Sequence, residues 1–329
     1  MNLESSITLQ EIFSLLSSFR TWIILTHQKP DGDAVGAASS LAVYGMEHGK
    51  NIRWGGVDPL PSTYYFLPLA DQYEIFTHIN ELLPFPEKTA VISLDTSNLE
   101  RSVPGLEVVQ EKHPIFNIDH HGDNTRYGDY NYIDESASSL GEILWHMFHL
   151  ANAQYDYNTA IGLYTAIITD SGKFSFSSTS PRTHQAAAEL LLKGVSPSDL
   201  NHKIFYSQPV ESVHLWGKAF ERVQLIVDDR ASLSWLSLQD FSQLGSSPAD
   251  TEGLVNELLR VKGAEFAVLL VEEQDQVRVS LRSRGDISAR EIAQQFGGGG
   301  HIQAAGCHIE AALTEAIAII TESVKEAMQ

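Results

Sequence analysis

Four separated stretches of this chain place carboxylates and imidazoles where they could hold cations. The first is His27-Gln28-Lys29-Pro30-Asp31-Gly32-Asp33, directly after the β-rich run Trp22 to Thr26. Asp95 follows the apolar run Thr89 to Leu94, and Asp119-His120-His121 follows Ile115 to Ile118. Asp170 closes Thr165 to Thr169 and precedes the turn residues Ser171-Gly172. A nitrogen donor with two carboxylates suits Mn, Fe or Zn better than Mg or Ca alone. Taken singly, each feature has a plainer reading. An Asp after an apolar run usually caps a helix or forms a turn, and His120-His121 alone reads as a surface loop. Three of the four clusters, however, end strand-like runs, and carboxylates converging there would repel one another unless cations were bound.

The elements that must position these groups alternate in type. Helical spacing covers Leu9 to Phe19, Ala34 to Glu47, Leu140 to Leu150, Thr159 to Ile168 and Pro181 to Leu192. Strands are expected at Trp22 to Thr26, Asn51 to Val57, Thr89 to Leu94 and Ile115 to Ile118. Pro30 and Gly32 are expected to keep the first cluster on a loop. Alternation of this kind predicts an α/β fold, a mostly parallel sheet with helices on both faces. Such sheets bind ligands at the carboxyl ends of their strands. After a break at Gly194-Val195-Ser196-Pro197-Ser198 the pattern turns to a smaller α+β domain. The expected division is a first domain over 1–193, a linker over 194–210 and a second domain over 211–329. Ser138 and Ser139 read as helix N-caps, and Phe174 and Phe176 as core.

Composition narrows the partners. The 329 residues carry 42 Asp plus Glu against 22 Lys plus Arg, a formal charge of -20. A protein that grips long nucleic acid by its phosphates is usually basic, so long strands and duplexes are disfavoured as partners. A short anionic substrate held by a few cations is not. The one cysteine, Cys307, rules out an internal disulfide and fits a reducing cytoplasm. No apolar run reaches the roughly 18 residues of a membrane span, and Met1-Asn2-Leu3-Glu4 lacks the cationic start of a signal peptide. A cytoplasmic protein is expected, with no membrane partner.

The four clusters, with the C-terminal run Gly297-Gly298-Gly299-Gly300-His301-Ile302-Gln303-Ala304-Ala305-Gly306, resemble the DHH phosphoesterase superfamily and its DHH-associated C-terminal domain. The matching motifs span Thr26 to Gly306, and the nanoRNase/pAp-phosphatase branch (NrnA type) is the best match. Two departures are Ser171 where threonine is usual and Ala37 where serine is common; neither removes a ligand. The resemblance implies two divalent ions, manganese first, with magnesium or cobalt as alternatives. It assigns His27 and Asp31 to one ion, Asp33, His120 and Asp170 to the other, and Asp95 as a bridge, which the two oxygens of a carboxylate permit. Asp119 would orient His120, and His121 would face the substrate phosphate.

Substrate recognition is assigned by resemblance to Arg101 and, in the second domain, to Arg282, Ser283, Arg284, Gly298, Gly299, Gly300 and His301, with the active site in an interdomain cleft. The amides of Gly297 to Gly300 could form an anion-binding nest, although glycine runs are often plain linkers. Glu252-Gly253-Leu254-Val255-Asn256 also resembles a segment of that second domain, its plainer reading being to cap and pack a helix. The implied activity is two-metal hydrolysis of short oligoribonucleotides and of 3'-phosphoadenosine-5'-phosphate (pAp). A phosphodiesterase for signalling dinucleotides is the second reading and a nucleotide-binding regulator the non-enzyme one. A homodimer stays open.

Overall fold

The computed structural model describes residues 7–109 and 113–329. The chain forms two compact units, one running through Tyr206 and one beginning at Ser207.

The first unit is built on six parallel strands: β1 (Thr21–Leu25), β2 (Asn51–Gly56), β3 (Tyr73–Ile75), β4 (Thr89–Leu94), β5 (Ile115–Asp119) and β6 (Tyr130–Ile133). Their order is β3-β2-β1-β4-β5-β6. β1 pairs with β2 on one side and β4 on the other, so the order reverses between β1 and β4. That switch point opens a crevice at the carboxyl ends of the two strands. β1, β4 and β5 are buried along their whole length, which explains their unbroken apolar runs.

One sheet face carries Trp22, Ile24, Ile92 and Phe116, covered by helices α1 (Leu9–Ser18), α2 (Gly32–Glu47), α3 (Leu140–Leu150), α4 (Tyr157–Asp170) and α5 (Pro181–Leu192). The opposite face, with Ile23, Leu25 and Val91, is covered by Phe76, Ile79, Leu82, Val103 and Leu106 from short 3-10 turns and loops. α2 is almost wholly buried and rich in small residues, Gly36-Ala37-Ala38-Ser39-Ser40. A Cβ added at Gly36 would lie 2.6 Å from the Gly162 carbonyl oxygen of α4. Only glycine lets these two backbones approach so closely.

Three expectations need correction. Among the described residues the α-helices pack on one face of this sheet and not on both, the other face being closed by 3-10 turns and loops. The first cluster is not all loop: α2 already begins at Gly32, with Asp31 as its N-cap accepting the amides of Asp33 and Ala34 at 3.1 Å. Asp31 supplies a capping carboxylate, and Gly32 is tolerated in a first turn that the cap stabilises. The stretch 194–210 is not an extended linker either. It holds α6 (Pro197–Phe205), with a Ser196 cap and Pro197 at the first helical position, and Leu200 and Ile204 are buried in the first unit's core.

The second unit contains α7 (Val210–Glu221), β7 (Gln224–Ile226), β8 (Ala231–Leu236), α8 (Leu238–Leu244), α9 (Leu254–Leu258), β9 (Phe266–Glu272), β10 (Val277–Ser283), α10 (Ala289–Gln294), β11 (Gly299–Gly300), β12 (Ala304–Ile309) and α11 (Leu313–Ala327). Its sheet runs β11-β12-β10-β9-β8-β7, antiparallel except for the β8–β9 pair. β9 sends Phe266, Val268 and Leu270 into one core and Ala267, Leu269 and Val271 into another, so both its faces are buried. Among the described residues no helix is long and apolar enough to cross a membrane.

Candidate metal centre

The crevice between β1 and β4 collects the four clusters. His27 lies just past β1 and Asp95 just past β4, and both are buried. Asp119 ends β5, and His120 and His121 follow it. Asp33 sits in the first turn of α2, and Asp170 is the last residue of α4. The close packing at Gly36 and Gly162 is what brings these two helix ends together.

The ligand atoms fall into two groups that share one residue. His27 Nε2 lies 3.9 Å from Asp31 Oδ2 and 3.5 Å from Asp95 Oδ2. His120 Nε2 lies 3.4 Å from Asp33 Oδ2, 3.4 Å from Asp95 Oδ1 and 3.5 Å from Asp170 Oδ2. Most of these separations are too long for hydrogen bonds and suit donors arranged around a cation. Asp95 thus turns one oxygen to each group. Its backbone adopts the left-handed region, φ 54°, which is uncommon for a non-glycine residue. Asp95 Oδ1 is buried and accepts no hydrogen bond. An orphaned carboxylate oxygen facing imidazole and carboxylate donors fits a divalent ion.

Each imidazole is held by its other nitrogen. With Nε2 turned to the carboxylates, His27 Nδ1–H donates to the Gln28 carbonyl at 2.7 Å, and Arg101 Nη2 lies 3.2 Å from the same nitrogen. His120 Nδ1 faces the Ala137 carbonyl at 3.4 Å. Asp33 is fixed as well: its two oxygens accept the amides of Leu140 (2.6 Å) and Gly141 (3.0 Å) at the N-terminus of α3. That end of α3 is clasped by buried Glu142, which accepts from Ser138, Thr183 and Arg182. Ser139, not Ser138, is its N-cap.

Without a bound cation the charges share protons unevenly. Burial alone would raise Asp95, but His120 and His27 beside it hold its carboxyl well below the usual range. Burial alone would lower the two imidazoles. The surrounding carboxylates win, raising His27 through Asp95 and Asp31 and His120 strongly through Asp95, Asp170 and Asp33. Burial and then the Asp95 charge push Asp33 well up, against the pull of His120. Burial also pushes Asp170 up to about 6, against the pull of His120.

Asp119 behaves differently from expectation. It orients His121 rather than His120: Asp119 Oδ1 accepts from His121 Nδ1 at 2.8 Å and from the backbone amides of His120 (2.7 Å) and His121 (3.2 Å). His121 is the residue whose ring turns back over the Asp119 carboxylate two positions away. Burial disfavours the charge on Asp119, yet the His121 hydrogen bond holds its pKa below the ordinary value.

In the second unit the register sets Arg282 opposite Ala304 and Gly300 opposite Ala305, which places these residues at one end of the sheet. Arg282 Nε donates to Asn256 Oδ1 at 2.8 Å, so the 252–256 segment does more than cap and pack a helix. Ser283 is buried, and the Arg284 amide donates to the Glu265 carbonyl at 2.7 Å. The expected amide nest is not formed. Gly299 and Gly300 are a strand, and successive strand amides point to opposite sides rather than into one cradle. His301 N–H closes a tight turn on the Ala304 carbonyl at 2.8 Å. A Cβ at Gly298 would meet the Gly306 carbonyl, and one at Gly300 would lie 2.5 Å from that of Ala304. The glycines serve close strand approach.

Residues 21–168 match the model of the DHH family, N-terminal domain, and residues 235–328 match that of the DHHA1 domain. A Thermus thermophilus protein named bifunctional oligoribonuclease and PAP phosphatase NrnA is 30% identical over 304 residues, spanning 92% of this chain and 89% of its own. The chain belongs to the DHH family. A Bacillus subtilis protein of the same name is 30% identical over 91% of the DHH chain described here and 92% of its own. Among solved structures, an exopolyphosphatase-related protein from Bacteroides fragilis shares the fold, with a TM-score of 0.88 at 22% identity over 97% of this chain and 96% of that one. As a family member the chain is a phosphoesterase, and its buried His/Asp cluster is suited to metal ions.

Proposed function

We propose that this DHH protein hydrolyses short oligoribonucleotides to mononucleotides and removes the 3'-phosphate of pAp, using two divalent ions, manganese first. The observation that carries the reading is Asp95, with one oxygen toward each of two His/Asp groups and Oδ1 left without a hydrogen bond. His27, Asp31 and Asp95 would hold one ion, and Asp33, Asp95, His120 and Asp170 the other. Bound there, the ions would supply Lewis-acid polarisation of the phosphoryl group and activation of the attacking water. The substrate classes rest on the names of the Thermus and Bacillus relatives, which share nearly the full length.

The chain's own residues do the rest. Gln28 and Ala137 carbonyls fix the rings of His27 and His120, so both present Nε2 to the carboxylates. The α3 amides hold Asp33 in place before any ion arrives. His121, oriented by Asp119, contacts the phosphate in this reading. Arg101 contributes a cation at the rim of the crevice, 3.2 Å from His27. Arg282, Ser283, Arg284, Gly298, Gly299, Gly300 and His301 take part in holding the nucleotide, with Arg282 oriented by Asn256. A net charge of -20 offers no extended basic track, which supports short substrates. A cytoplasmic setting agrees with a lone, buried cysteine.

The test is a product assay with Mn2+ against pAp, a diadenylate, a long single-stranded RNA, a cyclic dinucleotide and pyrophosphate. Turnover of pAp and diadenylate well above the others is expected. Preference for the long strand, or for the cyclic dinucleotide, refutes this assignment of substrate.

A further inference from the structure

We propose that Asn124 is a positioning residue of this site, acting on His121 through Asp119. The inference rests on the phosphoesterase reading above. Asn124 lies five residues beyond Asp119 and belongs to none of the ligand groups. Its side-chain Nδ2 donates to Asp119 Oδ2 at 2.6 Å and to the Thr96 carbonyl at 3.2 Å. Its Oδ1 accepts the Arg126 amide at 2.7 Å, which fixes the amide so that nitrogen, not oxygen, faces Asp119. A carboxylate only accepts, so this orientation is required.

The arrangement divides the labour of Asp119 between its two oxygens. Oδ1 is committed to His121 Nδ1–H and to the amides of His120 and His121. Oδ2 is held by Asn124 alone among the hydrogen bonds of the described residues. The carboxylate can rotate about its Cβ–Cγ bond unless both oxygens are engaged. Asn124 supplies the second point of attachment and so sets the plane in which Asp119 meets the His121 ring. The same Nδ2 reaches the Thr96 carbonyl, and Thr125 donates its amide to the Ser97 carbonyl at 2.8 Å. The segment carrying Asn124 is thereby stitched to the turn immediately after Asp95. Asn124 therefore ties the His121 clamp to the strand end that serves both ion groups, and no shorter or acidic side chain can make both donations.

Asn124→Ala and the isosteric Asn124→Asp test this with three readouts. In the metal-free protein, a proton-nitrogen NMR spectrum of the histidine rings should show the His121 Nδ1–H held in its hydrogen bond in the wild type. That proton should shift or broaden in both variants. In the Mn2+-loaded protein, kcat on pAp should fall about 10–100-fold with KM within roughly threefold, and saturating Mn2+ should not restore it. Asn124→Asp places a second carboxylate against Asp119 and should be at least as damaging as Asn124→Ala, although it keeps the side chain's shape. Wild-type kcat in either variant overturns the proposal, and so does a loss that added Mn2+ repairs or an unchanged His121 ring proton in both. A wild-type protein with no phosphoesterase turnover defeats the phosphoesterase reading instead, while the ring spectrum still decides whether Asn124 positions His121.

Discussion

Replacing Gly36 by alanine tests whether helix packing, rather than ligand identity alone, builds the second ion group. The new Cβ would lie 2.6 Å from the Gly162 carbonyl oxygen and 2.8 Å from the Ala166 amide nitrogen. Both are backbone atoms and cannot swing aside. Ordinary contact begins at 3.4 Å, so α2 and α4 must separate by about 0.8 Å (3.4 minus 2.6). Alanine gains about 1 kcal/mol of helix propensity over glycine, while overpacking a filled interior costs about 1–3 kcal/mol. The net effect is a modest loss, a fall in melting temperature of a few degrees for a domain of this size. The effect on the site is larger. Asp33 lies one turn before Gly36 and Asp170 one turn after Ala166, so the separation is passed to the carboxylates facing His120. Misplacement by about 1 Å costs on the order of 100-fold in rate. Turnover of pAp at saturating Mn2+ should therefore fall about 10–100-fold, and Asp31, the N-cap of the same helix, is carried along with Asp33. Turnover within twofold of wild type, with an unchanged melting temperature, would refute the link between this helix contact and the site.

Asp95→Asn should abolish Mn2+-dependent turnover while preserving the fold, because asparagine tolerates the left-handed backbone at this position. Circular dichroism and calorimetric Mn2+ titration would check it, and wild-type metal affinity would sink the bridging role. Asp240 gives a pH signature away from the crevice. Burial would raise its carboxyl, but the Arg222 guanidinium, at 2.8 Å through Nη2, and the Ser237 bonds hold it at about 2. A depressed folded-state pKa contributes stability above the unfolded pKa near 4, and that stability is lost as pH falls through about 2. The contribution is about 2 kcal/mol. Asp240→Asn should lower stability at pH 7 by about that amount and flatten the acid limb between pH 4 and pH 2; parallel curves for the two proteins would contradict the assignment.

Most of the ligand set was legible because each member sits at the end of an element with a strong pattern of its own. Asp95 and Asp119 follow runs buried on both faces, which read as strands whatever their neighbours. The start of α2 was misread because Pro30 and Gly32 signal a break, whereas Asp31 converts that break into a helix cap. Of the two aromatics expected in the core, Phe174 is half-buried against the first core and stacks on His184 at 5.2 Å, whereas Phe176 is half-buried and belongs to none of the core clusters. The partner of Asp119 was not legible, since a carboxylate followed by two histidines in sequence can turn to either. Asn124 was invisible for a related reason. An asparagine in a loop carries no periodicity, and its role appears only when folding brings Asp119 to it. The strand β12, Ala304-Ala305-Gly306-Cys307-His308-Ile309, was hidden because small residues have little β preference of their own. Its extended form is imposed by β10 alongside.

The grip of α3 on Asp33 makes the two acidic residues at the start of α2 unequal in what the protein can survive losing. Asp33 joins residue 33 to residues 140 and 141 inside the interior, so removing it strands two amides as well as a ligand. Asp31 has a side chain 54% exposed, and its capping duty could pass to asparagine or serine. A descendant of this chain released from catalysis would be free to drift first at Asp31 and last at Asp33. The retention of a buried acid at position 33 in such a descendant would be a mark of architecture, not of activity.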